Sequence, residues 1–203
     1  MPLAIHNISF ERNDSPLFSQ LNCVLQPGDL LQVRGRNGSG KSTLLRILAG
    51  FLEPHEGDII WEAVSILKQR GHYQQKMCYI GHQNGIKPYL TVHENLCLNA
   101  ALMGFQPEQI PSALSQIGLK TKIHTPAFQL SSGQLRRLAL TRCLLSRASV
   151  WILDEPTASL DAEGQQLLID LLKNHLHAKG IAIIASHHDL PWTEHQKTIQ
   201  LAH

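Results

Sequence analysis

Eight residues, Gly35-Arg36-Asn37-Gly38-Ser39-Gly40-Lys41-Ser42, have the types and spacing of a loop that cradles phosphate. Its glycines free the backbone to turn successive N–H groups toward anionic oxygens. The helix expected after it adds the partial positive charge of its N-terminus. Lys41 is placed for the β- and γ-phosphates, the Ser42 hydroxyl for Mg²⁺, and Thr43 to share phosphate contacts. The competing reading is a plain glycine-rich turn between a strand and a helix.

A second constellation lies far along the chain, where the apolar run Val150-Trp151-Ile152-Leu153 meets Asp154-Glu155. Two carboxylates at the end of a buried strand are costly unless a cation offsets them. Asp154 is expected to hold Mg²⁺ through water, and Glu155 to orient attacking water or take its proton. Taken alone, Asp154-Glu155-Pro156 would read as a helix cap; the phosphate loop upstream tips the pair toward chemistry.

Elements must position these groups. Leu3 to Ile5 and Ile8 to Phe10 read as strands, followed by a turn at Asn13 to Pro16 and a strand over Leu21 to Leu25. Pro27-Gly28-Asp29 marks a turn, and Leu30 to Val33 a short buried strand that feeds the loop. A helix carrying Leu44, Leu45, Ile47, Leu48 and Phe51 follows. Gly57 to Trp61 reads as an edge strand and Met77 to Ile80 as another. From Pro88 the apolar period changes from two to 3.6. Thr91 and Glu94 form a capping box for a helix from Val92 to about Met103, apolar enough to be buried. Pro107 opens a second helix that Gly118 stops, and a third runs from Ser132 to about Ser146. Asp161 caps a long amphipathic helix that ends at Lys179-Gly180, with Gly180 as its C-cap. Ile181 to Ala185 and Thr198 to Leu201 complete the strands. Strands alternating with helices imply an α/β fold with a mostly parallel core, with helices over roughly 88–148 inserted between core strands.

The 203 residues suit one domain over 1–203. Charged residues are only 17%, against roughly 25% in ordinary domains, and 43% apolar content argues against disorder. No apolar run approaches the ~20 residues of a membrane-spanning helix, and no signal peptide is evident. A net charge of +2 does not announce a nucleic-acid partner. The four cysteines lack metal or redox spacing. The histidine pairs His175/His177 and His187/His188 do not share a helix face, so neither is read as a metal site.

Leu130-Ser131-Ser132-Gly133-Gln134, with Ser132 in place of the usual glycine, closely resembles the signature of ABC ATPases. Gln83 resembles the Q-loop glutamine of that family, Ser159-Leu160-Asp161 its D-loop and His187 its switch histidine, all in the family's order. The resemblance implies a P-loop NTPase (RecA-like) fold: a mostly parallel core sheet, an antiparallel β subdomain and an inserted helical subdomain. It implies ATP and Mg²⁺, with Gln83 sensing Mg²⁺ and water and signalling to the membrane subunit. Two copies would close head to tail over two ATP molecules. Ser131, Ser132, Gly133 and Gln134 of one copy would cover the γ-phosphate held by the other, and Asp161 would contact that other copy. His187 would hold the γ-phosphate and position Glu155. At the adenine, where the family usually stacks an aromatic ring, this chain has Glu11-Arg12; Phe10 or Arg12 would substitute.

Ile80 to Lys87, Leu90-Thr91, Glu94-Asn95-Leu96 and Trp151 to Pro156 further resemble the ATP-binding subunits of haem exporters in bacterial cytochrome c maturation. That likeness implies a peripheral protein on the cytoplasmic face of the inner membrane, docked on an integral permease subunit, with haem handled by partners. An ABC ATPase for lipid, lipoprotein or peptide would carry the same motor residues. Relatives acting on DNA or ribosomes generally carry two cassettes or long arms. P-loop kinases and GTPases lack the stretch from Leu130 to Gln134.

Overall fold

The computed structural model describes residues 1–13, 15–186 and 195–201. β1 (Leu3–Arg12) and β2 (Ser15–Leu25) pair antiparallel, and β3 (Leu30–Arg34) runs into the glycine loop and α1 (Lys41–Leu48). β4 (Glu56–Trp61), β5 (Val64–Ser65), α2 (Arg70–Gln75) and β6 (Met77–Ile80) follow. Next come α3 (Val92–Met103), α4 (Ile110–Gln116) and α5 (Ser132–Leu145). β7 (Val150–Asp154), α6 (Ala162–His177), β8 (Ile181–Ala185) and β9 (Gln196–Gln200) complete the described elements.

The strands form two sheets, an antiparallel one in the order β2-β1-β4-β5 and a parallel one in the order β6-β7-β8-β3-β9. Continuous apolar runs explain the second, because a parallel sheet is covered on both faces. β7 and β8 are buried at all five positions. Their alternation divides two cores: Ile152, Ile183, Leu31 and Val33 meet α1 and the antiparallel sheet, while Trp151, Leu153, Ala182 and Ile184 meet residues of α5 and α6. A third cluster joins α3, α4 and α5 through Val92, Leu96, Ile110, Leu114 and Leu138. Parallel pairing brings the C-terminal ends of β3, β6 and β7 to one edge of the sheet, where such folds bind ligands.

Several expectations change. β1 is one strand whose register shifts absorb the interruption after Ile5. β4 is interior, because β5 pairs beyond it. α1 ends before Phe51, with Gly50 left-handed at φ 70°. Pro107 opens a short 3-10 turn over Pro107–Gln109, and α4 begins only at Ile110. α3 has its capping box (Glu94 N–H to Thr91 Oγ1, 3.1 Å; Thr91 N–H to Glu94 Oε2, 2.8 Å), but it is not buried all round. Val92, Asn95, Leu96 and Ala100 face inward, while Leu98, Leu102 and Met103 are exposed. At the end of α6 the left-handed residue is Lys179 (φ 64°), not Gly180. Gly180 is needed for space instead: a Cβ there would lie 2.2 Å from His175 Cε1. The His175 ring stacks on Trp151 at 4.0 Å and 9°. No helix among the described residues is long and apolar enough to cross a membrane.

Candidate active site

The glycine loop connects β3 to α1 and turns at Gly38 (φ 86°) and Gly40 (φ 95°), the N-cap of α1. A side chain at Gly40 would be strained by its backbone and would meet Leu17 Cδ2 at 2.4 Å. The first turn of α1 has no acidic residue, so no side chain there opposes its positive end. Lys41 is buried, and its Nζ donates to the carbonyls of Gly35 (2.9 Å) and Arg36 (3.1 Å). The ammonium is thus held within the loop itself. Ser39 Oγ is buried with no hydrogen-bond partner among the described residues, an unmet group of the kind a bound anion's oxygen satisfies. Ser42 is exposed and Thr43 half-buried, both on the cleft wall.

Asp154 ends β7 and is 2% exposed. Glu155 follows in the left-handed region, at φ 47°, a conformation that costs a non-glycine residue and gathers at functional sites. Its N–H donates to Ala185 O at 2.9 Å, anchoring it to the end of β8. Asp154 and Glu155 share a cleft of ≈ 480 Å³ with Lys41, Ser42, Thr43, Asn37, Arg12 and His82. The loop and the acidic pair, more than a hundred residues apart in sequence, therefore meet across one space. That donor set fits Mg²⁺: one hydroxyl and buried carboxylate oxygens, hard ligands facing a phosphate site.

The two candidates for the base separate. Arg12 lines this cleft, whereas the Phe10 ring packs against Phe18 (6.3 Å) and His55 (4.5 Å) and is not on its wall. Gln83 follows β6 and is exposed; its neighbour His82, rather than Gln83, reaches the cleft wall. His187 lies outside the described residues.

Ser131 to Gln134 sit elsewhere, lining a second concavity of ≈ 410 Å³ with Ser159, Asp161 and Arg137. Ser131 N-caps α5 in a capping box: its Oγ accepts from Gln134 N–H (3.2 Å), and Gln134 Oε1 accepts from Ser131 N–H (3.0 Å). That bond uses the Ser131 oxygen as acceptor, so its O–H points elsewhere. Gly133 has no space for a side chain, because a Cβ would lie 2.8 Å from Ser159 O. Signature and D-loop are thereby in backbone contact within one chain. Asp161 caps α6 through Gly164 N–H (2.8 Å) and pairs with Arg137 (2.7 Å). The backbone bond from Gly164, then the Arg137 guanidinium, hold its carboxyl below the usual range.

Arg136 was not singled out by motif reading. It is 3% exposed on α5 and donates to backbone carbonyls of the acidic strand end and to the Gln83 loop. Burial lowers its pKa, and the nearby Asp154 charge opposes that. The available signal was an arginine on a helix face otherwise spent on core, in line with Ala139, Leu140 and Cys143. Arg142 reaches the same loop, donating to Asn84 O at 2.9 Å.

A family model described as ABC transporter matches residues 18–158. Two similar proteins each bear the name cytochrome c biogenesis ATP-binding export protein CcmA. That of Haemophilus influenzae is 41% identical over 199 residues, 96% of this chain and 93% of its own. That of Methylococcus capsulatus is 44% identical over 191 residues, 93% of this chain and 92% of its own. Among solved structures, a putative ABC transporter ATP-binding protein from Pyrococcus furiosus superposes with TM-score 0.85 at 26% identity, covering 98% of this chain and 97% of that one.

Proposed function

The chain belongs to the ABC transporter family of ATP-binding proteins, and on that premise we propose that it is the ATP-hydrolysing motor of a membrane complex for cytochrome c maturation and haem export. Similarity at 41–44% identity over nearly whole chains to ATP-binding export proteins of cytochrome c biogenesis supports the assignment. The observation that carries the mechanism is the division of site residues between two separate concavities. The phosphate loop and acidic pair open on one; the signature and D-loop open on the other. A head-to-tail pair of copies lets each signature cover the partner's loop, giving two complete ATP sites.

In that pair, loop N–H groups and Lys41 hold the β- and γ-phosphates, and Arg12 lies against the adenine. Ser42, Asp154 and Gln83 would hold Mg²⁺, which would supply charge neutralisation for the phosphates when bound. Glu155 takes a proton from the attacking water, and its strained backbone, fixed to Ala185 O, sets where the carboxylate sits. Ser131 and the N-terminus of α5 meet the γ-phosphate across the interface, a helix end suited to an anion. Asp161 faces the other copy, and His187 steadies the γ-phosphate. The motor sits peripherally on the cytoplasmic side of the inner membrane, on a permease subunit that supplies the membrane path, and the partner subunits rather than this chain handle haem.

Deleting the gene tests the assignment: c-type cytochromes are expected to be lost and to return on complementation. Intact c-type cytochromes in the deletion strain would reject the haem-export reading and favour a different cargo.

A further inference from the structure

All five guanidinium N–H groups of Arg136 have acceptors. Nε donates to Pro156 O (3.3 Å), one terminal nitrogen to Asp154 O (2.6 Å) and Glu155 O (2.9 Å), and the other to Gly81 O (3.0 Å) and Asn84 Oδ1 (2.9 Å). The first three acceptors are consecutive carbonyls around the left-handed bend at Glu155. The other two bracket Gln83. The side chain itself stands on α5, two residues beyond the signature. A buried cation is expensive unless its donors are matched, and here four of five partners are backbone carbonyls of the segments that leave the paired strands β6 and β7.

We propose that Arg136 is a positioning residue for hydrolysis: it locks the Glu155 bend and the Gln83 loop to the signature helix, so that these three segments move as one body. It lines neither concavity and acts through the backbone it holds. Because the signature helix meets the ATP bound by the other copy, the same clamp links each copy's acidic pair to its neighbour's nucleotide. That last link rests on the head-to-tail reading above; the clamp itself does not. A lysine cannot substitute, since three donors from one nitrogen do not reach five acceptors spread over two segments.

The test uses the full chain carrying Arg136→Lys and, separately, Arg136→Gln. Nucleotide affinity, measured with a fluorescent ATP analogue, is expected to stay within about threefold, because the phosphate loop is untouched. The kcat is expected to fall roughly 10- to 100-fold, the scale of a catalytic group displaced by about 1 Å. Amide hydrogen exchange should rise at residues 81–84 and 154–157 and stay unchanged in α1 and β3. Unchanged kcat and unchanged exchange in both variants would overturn the proposal. So would affinity, kcat and melting temperature falling together, or failure of both variants to fold, since that pattern marks a merely structural residue. Exchange needs no ATP turnover, so the clamp is decided even if the wild-type chain proves inactive as an ATPase.

Discussion

The two concavities differ in what they contain. The phosphate-loop cleft has two cations, a helix N-terminus, two hydroxyls and two carboxylates, groups of the kind that bind a nucleotide and activate water. The signature concavity has a capped helix end, small residues and an Asp161–Arg137 pair, with charges already satisfied within the chain. On the proposed reading the first does the chemistry and the second covers an anion held by another copy. On that head-to-tail reading the contrast makes a pair of chains the unit of function, with binding and closure separately breakable.

Damage to the first cleft should act on one chain alone. Lys41→Ala is expected to lose roughly 10²-fold or more in ATP affinity, because charge-assisted bonds of about 1.5–3 kcal/mol each are removed; calorimetric titration of ATP into the variant checks this. Glu155→Gln keeps the binding groups and should slow steady-state phosphate release by roughly 10²–10⁴, the usual worth of a general base. Damage to the second concavity should spare the first. Gly133→Ala pushes a methyl group against Ser159 O, and its kcat should drop about tenfold while ATP affinity measured at low protein concentration stays put. Equal loss of affinity in Gly133→Ala and Lys41→Ala would erase the distinction.

A smaller effect should involve neither concavity. Burial lowers the His175 pKa from 6.5 to about 4. Between those values the unfolded chain binds a proton that the folded chain refuses, so the contribution is intact at pH 7 and lost as pH falls through 6.5. Roughly 2 kcal/mol of stability should disappear between pH 7 and pH 5. His175→Phe, which keeps an aromatic ring on Trp151, should lose less over that interval in urea melts at the two pH values.

Legibility in the sequence followed locality. The phosphate loop, the Thr91–Glu94 capping box and the apolar runs of β7 and β8 are set by residues adjacent in sequence, and their types alone specify them; the equivalent Ser131–Gln134 box went unread. Positions set by distant partners were not readable. The inner place of β4 depends on β5 folding back beyond it. The exposed side of α3, with Leu102 75% exposed, depends on which face α4 and α5 cover. Lys179 rather than Gly180 takes the left-handed turn, while Gly180 leaves room for the His175 ring, a contact that depends on how α6 packs. Arg136 escaped for the same reason: an arginine in a helix reads as solvated surface until strands and loops from two other regions are brought onto it.

Sedimentation of Glu155→Gln with and without ATP and Mg²⁺ tests the shared site most directly. Two chains closing over nucleotide predict a species of twice the 22.6 kDa chain mass with ATP, reverting to monomer when Gly133→Ala is added. A Glu155→Gln chain that stays at 22.6 kDa under saturating ATP would contradict it.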